Sequence, residues 1–354
     1  MPDKLPKQFA YLALAAAFLF GASTPACKVL LTHIHPAMLA GLLYLGSGIG
    51  LGTFSILKRF FVKQPTNEAG LSRTELPWLA GAIVFGGIAA PLFLMYGLRA
   101  SSASSASLLL NLEAAFTALI AWFVFRENVD RRVFLGMCAI VCGGLCLAYQ
   151  PGESLSLSSS ALPIVAACLC WAADNNLTRK VSGADPLISA GLKGFVAGVV
   201  NCFIALKIGD GIPETSVLIA ACLVGLFSYG LSLSLYIRSL RHLGTARTSA
   251  YFSTAPFIGA ALAIAFLNEP LSLTFTLAGV LMAAGVWLHV TEQHSHEHTH
   301  EAIEHEHQHV HDEHHQHEHD SSVPVDQPHT HRHRHERITH SHHHYPDLHH
   351  DHEH

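Results

Sequence analysis

Ala103-Ser-Ser-Ala-Ser-Leu-Leu-Leu-Asn111-Leu-Glu113-Ala-Ala-Phe-Thr-Ala-Leu-Ile-Ala-Trp122-Phe-Val-Phe125 decides the fold of this chain. The hydrocarbon core of a bilayer is about 30 Å thick and a helix rises about 1.5 Å per residue, so about 20 mostly apolar residues are needed to cross it. This stretch meets that length. Working outward, three similar runs precede it, at Phe9 to Leu31, Ala37 to Leu57 and Pro77 to Leu98. Six follow, at Val133 to Tyr149, Ala161 to Thr178, Leu187 to Leu206, Ser216 to Ile237, Thr245 to Leu267 and Leu273 to Val290. The fold expected is all-α: a polytopic membrane protein of ten transmembrane helices. The sixth run is the weakest, because Asp174, Asn175 and Asn176 interrupt it.

Composition agrees. Of 354 residues 50% are hydrophobic and 13% charged, where a soluble domain carries about a quarter charged. The average hides two regimes. Residues 294–354 hold 24 of the 28 histidines and 13 of the 26 acids, and almost no large apolar residue. The eight cysteines all fall inside apolar runs and read as small buried residues, not as a disulfide framework. Lys4, Lys7 and the small residues before Cys27 imitate a signal peptide, but nine runs follow and the first helix is expected to stay.

Basic residues then orient the chain. With a cytoplasmic N-terminus, fourteen Lys and Arg fall in inside segments and only Arg99 and Lys207 outside, a strong positive-inside bias. Both termini are therefore expected in the cytoplasm of a multi-pass plasma-membrane protein.

The chain also repeats. At an offset of 142, Leu98, Arg99, Ser107, Ala118, Ala121, Glu127 and Gly143 meet Leu240, Arg241, Ser249, Ala260, Ala263, Glu269 and Gly285. At an offset of 150, Pro36, Ala40, Gly41, Leu42 and Gly48 meet Pro186, Ala190, Gly191, Leu192 and Gly198. Five helices occur twice, and because five is odd the second set enters the membrane from the opposite side. Such an inverted repeat is an architecture of transporters, in which two half-barriers flank one central site. The expected units are residues 1–150 and 151–293 as the two repeats and 294–354 as a disordered tail.

The stretch Asn111 to Glu127, followed by Gly136 and Gly143-Gly144, resembles the EamA-type drug/metabolite transporter superfamily, and Ser253 to Glu269, followed by Gly279 and Gly285, has the same shape. The resemblance covers roughly Phe9 to Val290. It implies a ten-helix permease with cytoplasmic termini, usually an exporter of small metabolites. The histidine-rich tail is not part of that family's common pattern.

An ionisable group inside a span costs a few kcal/mol or more and is a functional candidate by default. Glu113, Asp174, Lys28 and Lys193 are the four. Asn111 lies two residues from Glu113, about 200° around the helix, so the two cannot face one cavity squarely. Asn111 shares a face with Ser104, Ser107 and Trp122, a polar stripe suited to a lumen. Asp174 and Asn175 either sit in an unwound part of the sixth helix that offers polar groups to a ligand, or mark its early end. Lys28 and Lys193 could counter anionic substrate groups, pair with Asp174 or Glu113, or snorkel to an interface. Ser253 and Pro256 are the equivalents, in the second copy, of the Asn111–Glu113 region. Together these form the expected substrate site. Glu127 and Glu269 end equivalent helices, with a structural or gating role. Small residues at Gly48, Gly52, Gly194 and Gly198 suit close helix packing.

In the tail, His294, His296, His298 and His300, then His305, His307, His309 and His311, then His314, His315, His317 and His319, then His329, His331, His333 and His335 alternate with or adjoin polar and acidic residues. Neutral imidazole binds zinc, nickel and cobalt, and interleaved carboxylates raise the local cation concentration. These are candidate ligands for a divalent transition metal; the alternative is a solvated, pH-sensitive tail. No cofactor is required and no enzyme is expected, since no nucleophile–base pair or nucleotide loop is recognisable. The expected partners are the lipid bilayer and a small-molecule or ion substrate, with room for a homodimer and none for nucleic acid. The leading expectation is a secondary exporter of a small metabolite working by alternating access. Beside it stand a nickel, cobalt or zinc efflux permease and a membrane-anchored metal buffer.

Overall fold

The computed structural model describes residues 7–61, 75–124, 131–149, 160–179, 186–243 and 245–291, with the tail at 294–300, 304–309, 329–334 and 338–344. Ten helices, several of them in segments, form one bundle. They are α1 (Lys7–Gly21 and Ser23–Leu30), α2 (Pro36–Phe61), α3 (Leu76–Ala82, Ile83–Ala89, Ala90–Ala100), α4 (Ala103–Leu109 and Leu112–Val124) and α5 (Arg131–Ala148). The second set is α6 (Ala161–Arg179), α7 (Pro186–Lys207), α8 (Thr215–Gly225, Leu226–Leu231, Ser232–Leu243), α9 (Thr245–Phe252 and Ala255–Leu267) and α10 (Leu273–Val290). Nine of them lie in stretches long and apolar enough to cross a membrane. The tenth, α6, carries the polar triplet. Below, the near face is the end at which Lys7 starts and Val290 finishes, and the far face is the opposite end.

The interruptions have local causes. Pro25 cannot donate to Gly21, and α1 breaks at Ala22 just upstream. Pro256 cannot donate to Phe252, and α9 breaks before it. No proline breaks α4; there Asn111 Nδ2 donates to Leu108 O at 2.9 Å and competes with the helical ladder. The two breaks, at Leu110–Asn111 and at Ser253–Thr254, correspond to within one residue at the 142-residue offset. So do two π-helical segments, Ile83–Ala89 in α3 and Leu226–Leu231 in α8.

Small residues set the helix contacts. Gly48 and Gly194 let α2 and α7 touch: a Cβ on Gly194 would stand 3.0 Å from Gly48 N. Gly52 faces open space and takes no part. Gly143 and Gly285 bring α5 against α10, where added Cβ atoms would meet Met282 and Ile140 at 2.7 Å. The far segments of α4 and α9 pack on each other, whereas the near segment of α4 packs on α5 and α6 and that of α9 on α1 and α8. Phe123, Phe203 and Trp287 point outward with 70%, 58% and 63% of their surface exposed, the reverse of a soluble protein. A face this apolar is suited to lipid.

One expectation changes here. α6 neither unwinds nor ends early: it runs unbroken through Asp174, Asn175 and Asn176 to Arg179. Asn176 Nδ2 donates to Ala172 O (2.9 Å) and Thr178 Oγ1 donates to Asp174 Oδ1 (3.0 Å), so the polar side chains are used within the helix. In the tail, backbone ladders pair His294–His300 with Ile338–His344 and Glu304–His309 with His329–Arg334, both antiparallel. The alternation of histidine with other residues has the period of a strand, and a two-stranded ribbon is marginal by itself, so the helices alone define the fold.

Candidate functional site

The site is built on the π-helical segment of α3. A π turn and a proline both leave carbonyls without helical donors. Gly86 O accepts from Tyr44 Oη of α2 (2.7 Å) and Trp171 Nε1 of α6 (3.1 Å). Pro91 cannot donate to Gly87 O, and Asn201 Nδ2 of α7 takes its place at 3.1 Å. Three side chains from three helices therefore converge on two adjacent glycines, and a Cβ on Gly86 would overlap the Asp174 carboxylate.

Around this point the polar side chains meet. Lys193 of α7 pairs with Asp174 of α6, which is 5% exposed. Thr178 holds the other Asp174 oxygen. On the next residue of α6 after Asp174, Asn175 Nδ2 donates to Glu113 Oε1 of α4 at 2.8 Å and to Thr117 Oγ1 at 3.3 Å. Asn176 Nδ2 reaches Thr117 O at 3.2 Å and ties the same helices together. Glu113 and Thr117 belong to the first repeat and Asn175, Asp174 and Lys193 to the second, so the cluster spans the boundary between repeats. Asp174 and Lys193 form a neutral pair, while Glu113 receives its hydrogen bond from a neutral amide. Glu113 stays half-buried and Asn175 exposed.

The other expected site residues lie elsewhere. Asn111 is 4% exposed and its amide also contacts Met282 Sδ of α10 at 3.9 Å. Ser104 and Ser107 are buried too, with Ser107 packed on Gly259 of α9. The stripe they were expected to line is thus a helix contact. Its small hydroxyls fit where Cβ atoms of neighbouring helices would not. Trp122 packs on Phe134 of α5 with ring centroids 6.2 Å apart. Ser253 Oγ donates back to Ala250 O (2.8 Å) in the α9 break, and Pro256 opens the segment that follows.

Lys28 does not pair with Asp174 or Glu113. Its Nζ donates to Leu98 O (2.9 Å), Arg99 O (3.2 Å) and Ser101 O (2.6 Å), closing the far end of α3. Glu269 accepts from Ala103 N and Ser104 N, both at 2.7 Å, and caps the far end of α4. Reasoning from sequence gave Glu269 a structural role at a helix end without naming α4 as the helix, for whose start the Ser-Ser pair before Ala103 was the available signal, and it missed the Lys28 cap. It also missed Tyr44, Trp171 and Asn201, whose role depends on the carbonyls that Pro91 and the π turn set free. Glu127 and the tail histidine side chains lie outside the described residues. Among the described residues no three His, Cys, Asp or Glu side chains come together to hold a metal ion.

Comparison with known proteins concerns the chain as a whole. The model of the family described as EamA-like transporter family matches residues 8–149 and again 158–291. A protein of Methanothermobacter thermautotrophicus named uncharacterized transporter is 28% identical over 295 residues, 78% of this chain and 84% of its own. One of Salmonella typhimurium named probable amino-acid metabolite efflux pump is 27% identical over 303 residues, 79% of this chain and 94% of its own. A solved structure titled only as the crystal structure of a protein superposes with a TM-score of 0.58 at 14% identity, over 80% of this chain and 95% of that one. That likeness concerns the fold.

Proposed function

The chain belongs to the EamA-like transporter family, and from that premise we propose that it is a secondary exporter moving a small organic metabolite by alternating access. The observation that carries the reading is the meeting of Glu113, Asn175, Asp174 and Lys193 across the repeat boundary, between the middle of the bundle and its near face. Groups so expensive inside a bilayer persist where they handle a polar solute. The packed far halves of α4 and α9, with near halves turned to different neighbours, suit a site that opens toward the near face. The positive-inside bias makes that face cytoplasmic, in the plasma membrane, as loading of an exporter requires. The relative named as an amino-acid metabolite efflux pump supports metabolites of that kind as cargo.

The tail is a separate element that binds zinc, nickel or cobalt through its histidines. At the register positions of the ladders histidine meets histidine, as at His296 and His342 or His307 and His331. Two other readings follow from it, a metal efflux permease and a metal buffer anchored by the helices.

Growth of a strain lacking the protein separates the three. Full-length, tail-deleted and Glu113→Ala forms are compared under nickel, cobalt, zinc and amino-acid stress. Protection from amino acids that needs Glu113 but not the tail is the expected result. Metal protection that needs the tail alone points to the buffer, and metal protection that needs both points to metal efflux.

A further inference from the structure

We infer that Glu113 is the ligand for a protonated amine on the cargo, and that cargo and proton exchange at this carboxylate. The inference rests on the exporter reading and adds the chemical class of what is carried. It starts from a charge count. Of the three ionisable groups in the cluster, Asp174 and Lys193 cancel, and Asp174 has both oxygens engaged, one by Lys193 and one by Thr178. Glu113 is left over. Its hydrogen-bond donor is the Asn175 amide, which brings no charge, and Lys28, the other basic group within a span considered for it, is spent on the carbonyls of Leu98, Arg99 and Ser101.

A single carboxylate within a bilayer is neutralised by a proton or by a cation. A transition-metal ion would ask for three or more His, Cys or acidic ligands, and no such group occurs among the described residues. A primary ammonium asks for less: one carboxylate and one or two neutral acceptors. Thr117 Oγ1, which accepts from the same Asn175 amide nitrogen as Glu113, is such a neutral acceptor, and Asn175 is exposed.

The exchange balances without a co-reactant. Protonated Glu113 loses its O–H bond, the proton leaves to water at the open face, and the carboxylate takes the ammonium. Release of the amine at the other face lets a proton return to the carboxylate. Each turnover trades one cation for another.

The test uses the purified full chain in weakly buffered detergent solution, with phenylalanine amide as an amine lacking a carboxylate and N-acetylphenylalanine as a carboxylate lacking an amine. Phenylalanine amide is expected to release about one proton per bound molecule, with an apparent affinity that falls about tenfold per pH unit as protonated Glu113 comes to predominate. N-acetylphenylalanine should release none. Glu113→Gln should abolish the release, and Glu113→Asp, which restores a carboxylate, should return it at weaker affinity; unfolding temperatures of both confirm that they fold. Absence of proton release with the amide, or release that survives Glu113→Gln, overturns the inference. Proteoliposomes separate it from the exporter reading. Export of N-acetylphenylalanine that is indifferent to Glu113 would keep the exporter and overturn the amine site. Proton release without passage of the amide would do the reverse.

Discussion

Replacing Lys193 by methionine tests the cluster most directly, because the change keeps most of the unbranched apolar stem and removes the ammonium group. Lys193 and Asp174 side chains are 20% and 8% exposed, so neither is well solvated. Without the ammonium, Asp174 retains one donor, Thr178 Oγ1 at 3.0 Å. Removing one partner of a buried ion pair costs about 3–5 kcal/mol, chiefly because the remaining charge is left uncompensated. Unfolding temperatures move by about 2–4 °C per kcal/mol in chains of 150–250 residues. This chain is larger, so the lower slope applies and the drop should be roughly 6–10 °C. The double variant Asp174→Asn, Lys193→Met removes both charges and should recover most of that, with a coupling of about 2 kcal/mol or more. Tryptophan fluorescence of the purified chain at one fixed scan rate measures all four corners of the cycle. A single-variant drop below about 2 °C, or a double variant as unstable as the sum of the two singles, would refute the pair as a structural charge couple.

Other consequences are as concrete. Gly86→Ala places a methyl group on the Asp174 carboxylate and should lower stability by about 1–3 kcal/mol, whereas Gly52→Ala, which faces open space, should leave the unfolding temperature unchanged. Glu269→Ala removes the cap on α4 and should cost about 0.5–2 kcal/mol; the same variant should raise labelling of an Ala106→Cys reporter by an impermeant maleimide applied at the far face, and unaltered labelling would deny the cap a part in closing that face. Deleting residues 294–354 should abolish binding of zinc to the purified chain and leave the unfolding temperature of the helices in place, as isothermal titration and a thermal scan would read. Single cysteines at Gln64 and Glu153 should label from opposite sides of the membrane, and a shared side would undo the inverted threading.

What the sequence disclosed, it disclosed through length and charge. Ten runs became ten helices because burying a backbone in lipid leaves a helix as the economical solution, whatever the side chains do in detail. Glu113, Asp174, Asn175 and Lys193 stood out because charge and amide groups are rare in such runs, and the structure brings those four together. Lys28 stood out equally and proved to be a cap, since its partners are backbone carbonyls that no residue pattern advertises. Asn111, Ser104 and Ser107 shared a helical face as expected, but periodicity says which residues face together and not what they face. The π segments were hidden for a similar reason. Gly86-Gly87 in α3 has Ser228-Tyr229 as its counterpart in α8, so no common residue marks the common distortion.

That contrast separates what the two repeats share from what they do not. The π segments of α3 and α8 and the breaks of α4 and α9 recur at equivalent positions, so either half can bend at the same depth, and a barrier closed at one end by one pair of half-helices has a counterpart at the other. The chemistry does not recur. At the same offsets Glu113 corresponds to Ala255, Asp174 to Thr24, Asn175 to Pro25 and Lys193 to Leu43. The polar cluster therefore lies to one side of the pseudo-twofold axis, among α3, α4, α6 and α7. Symmetric bending can expose it to either face in turn, and on the proposed amine binding its single unmatched carboxylate is the same ligand in both states. A cargo need meet no second site on its way across; what changes between faces is the water around Glu113 and the proton that competes for it.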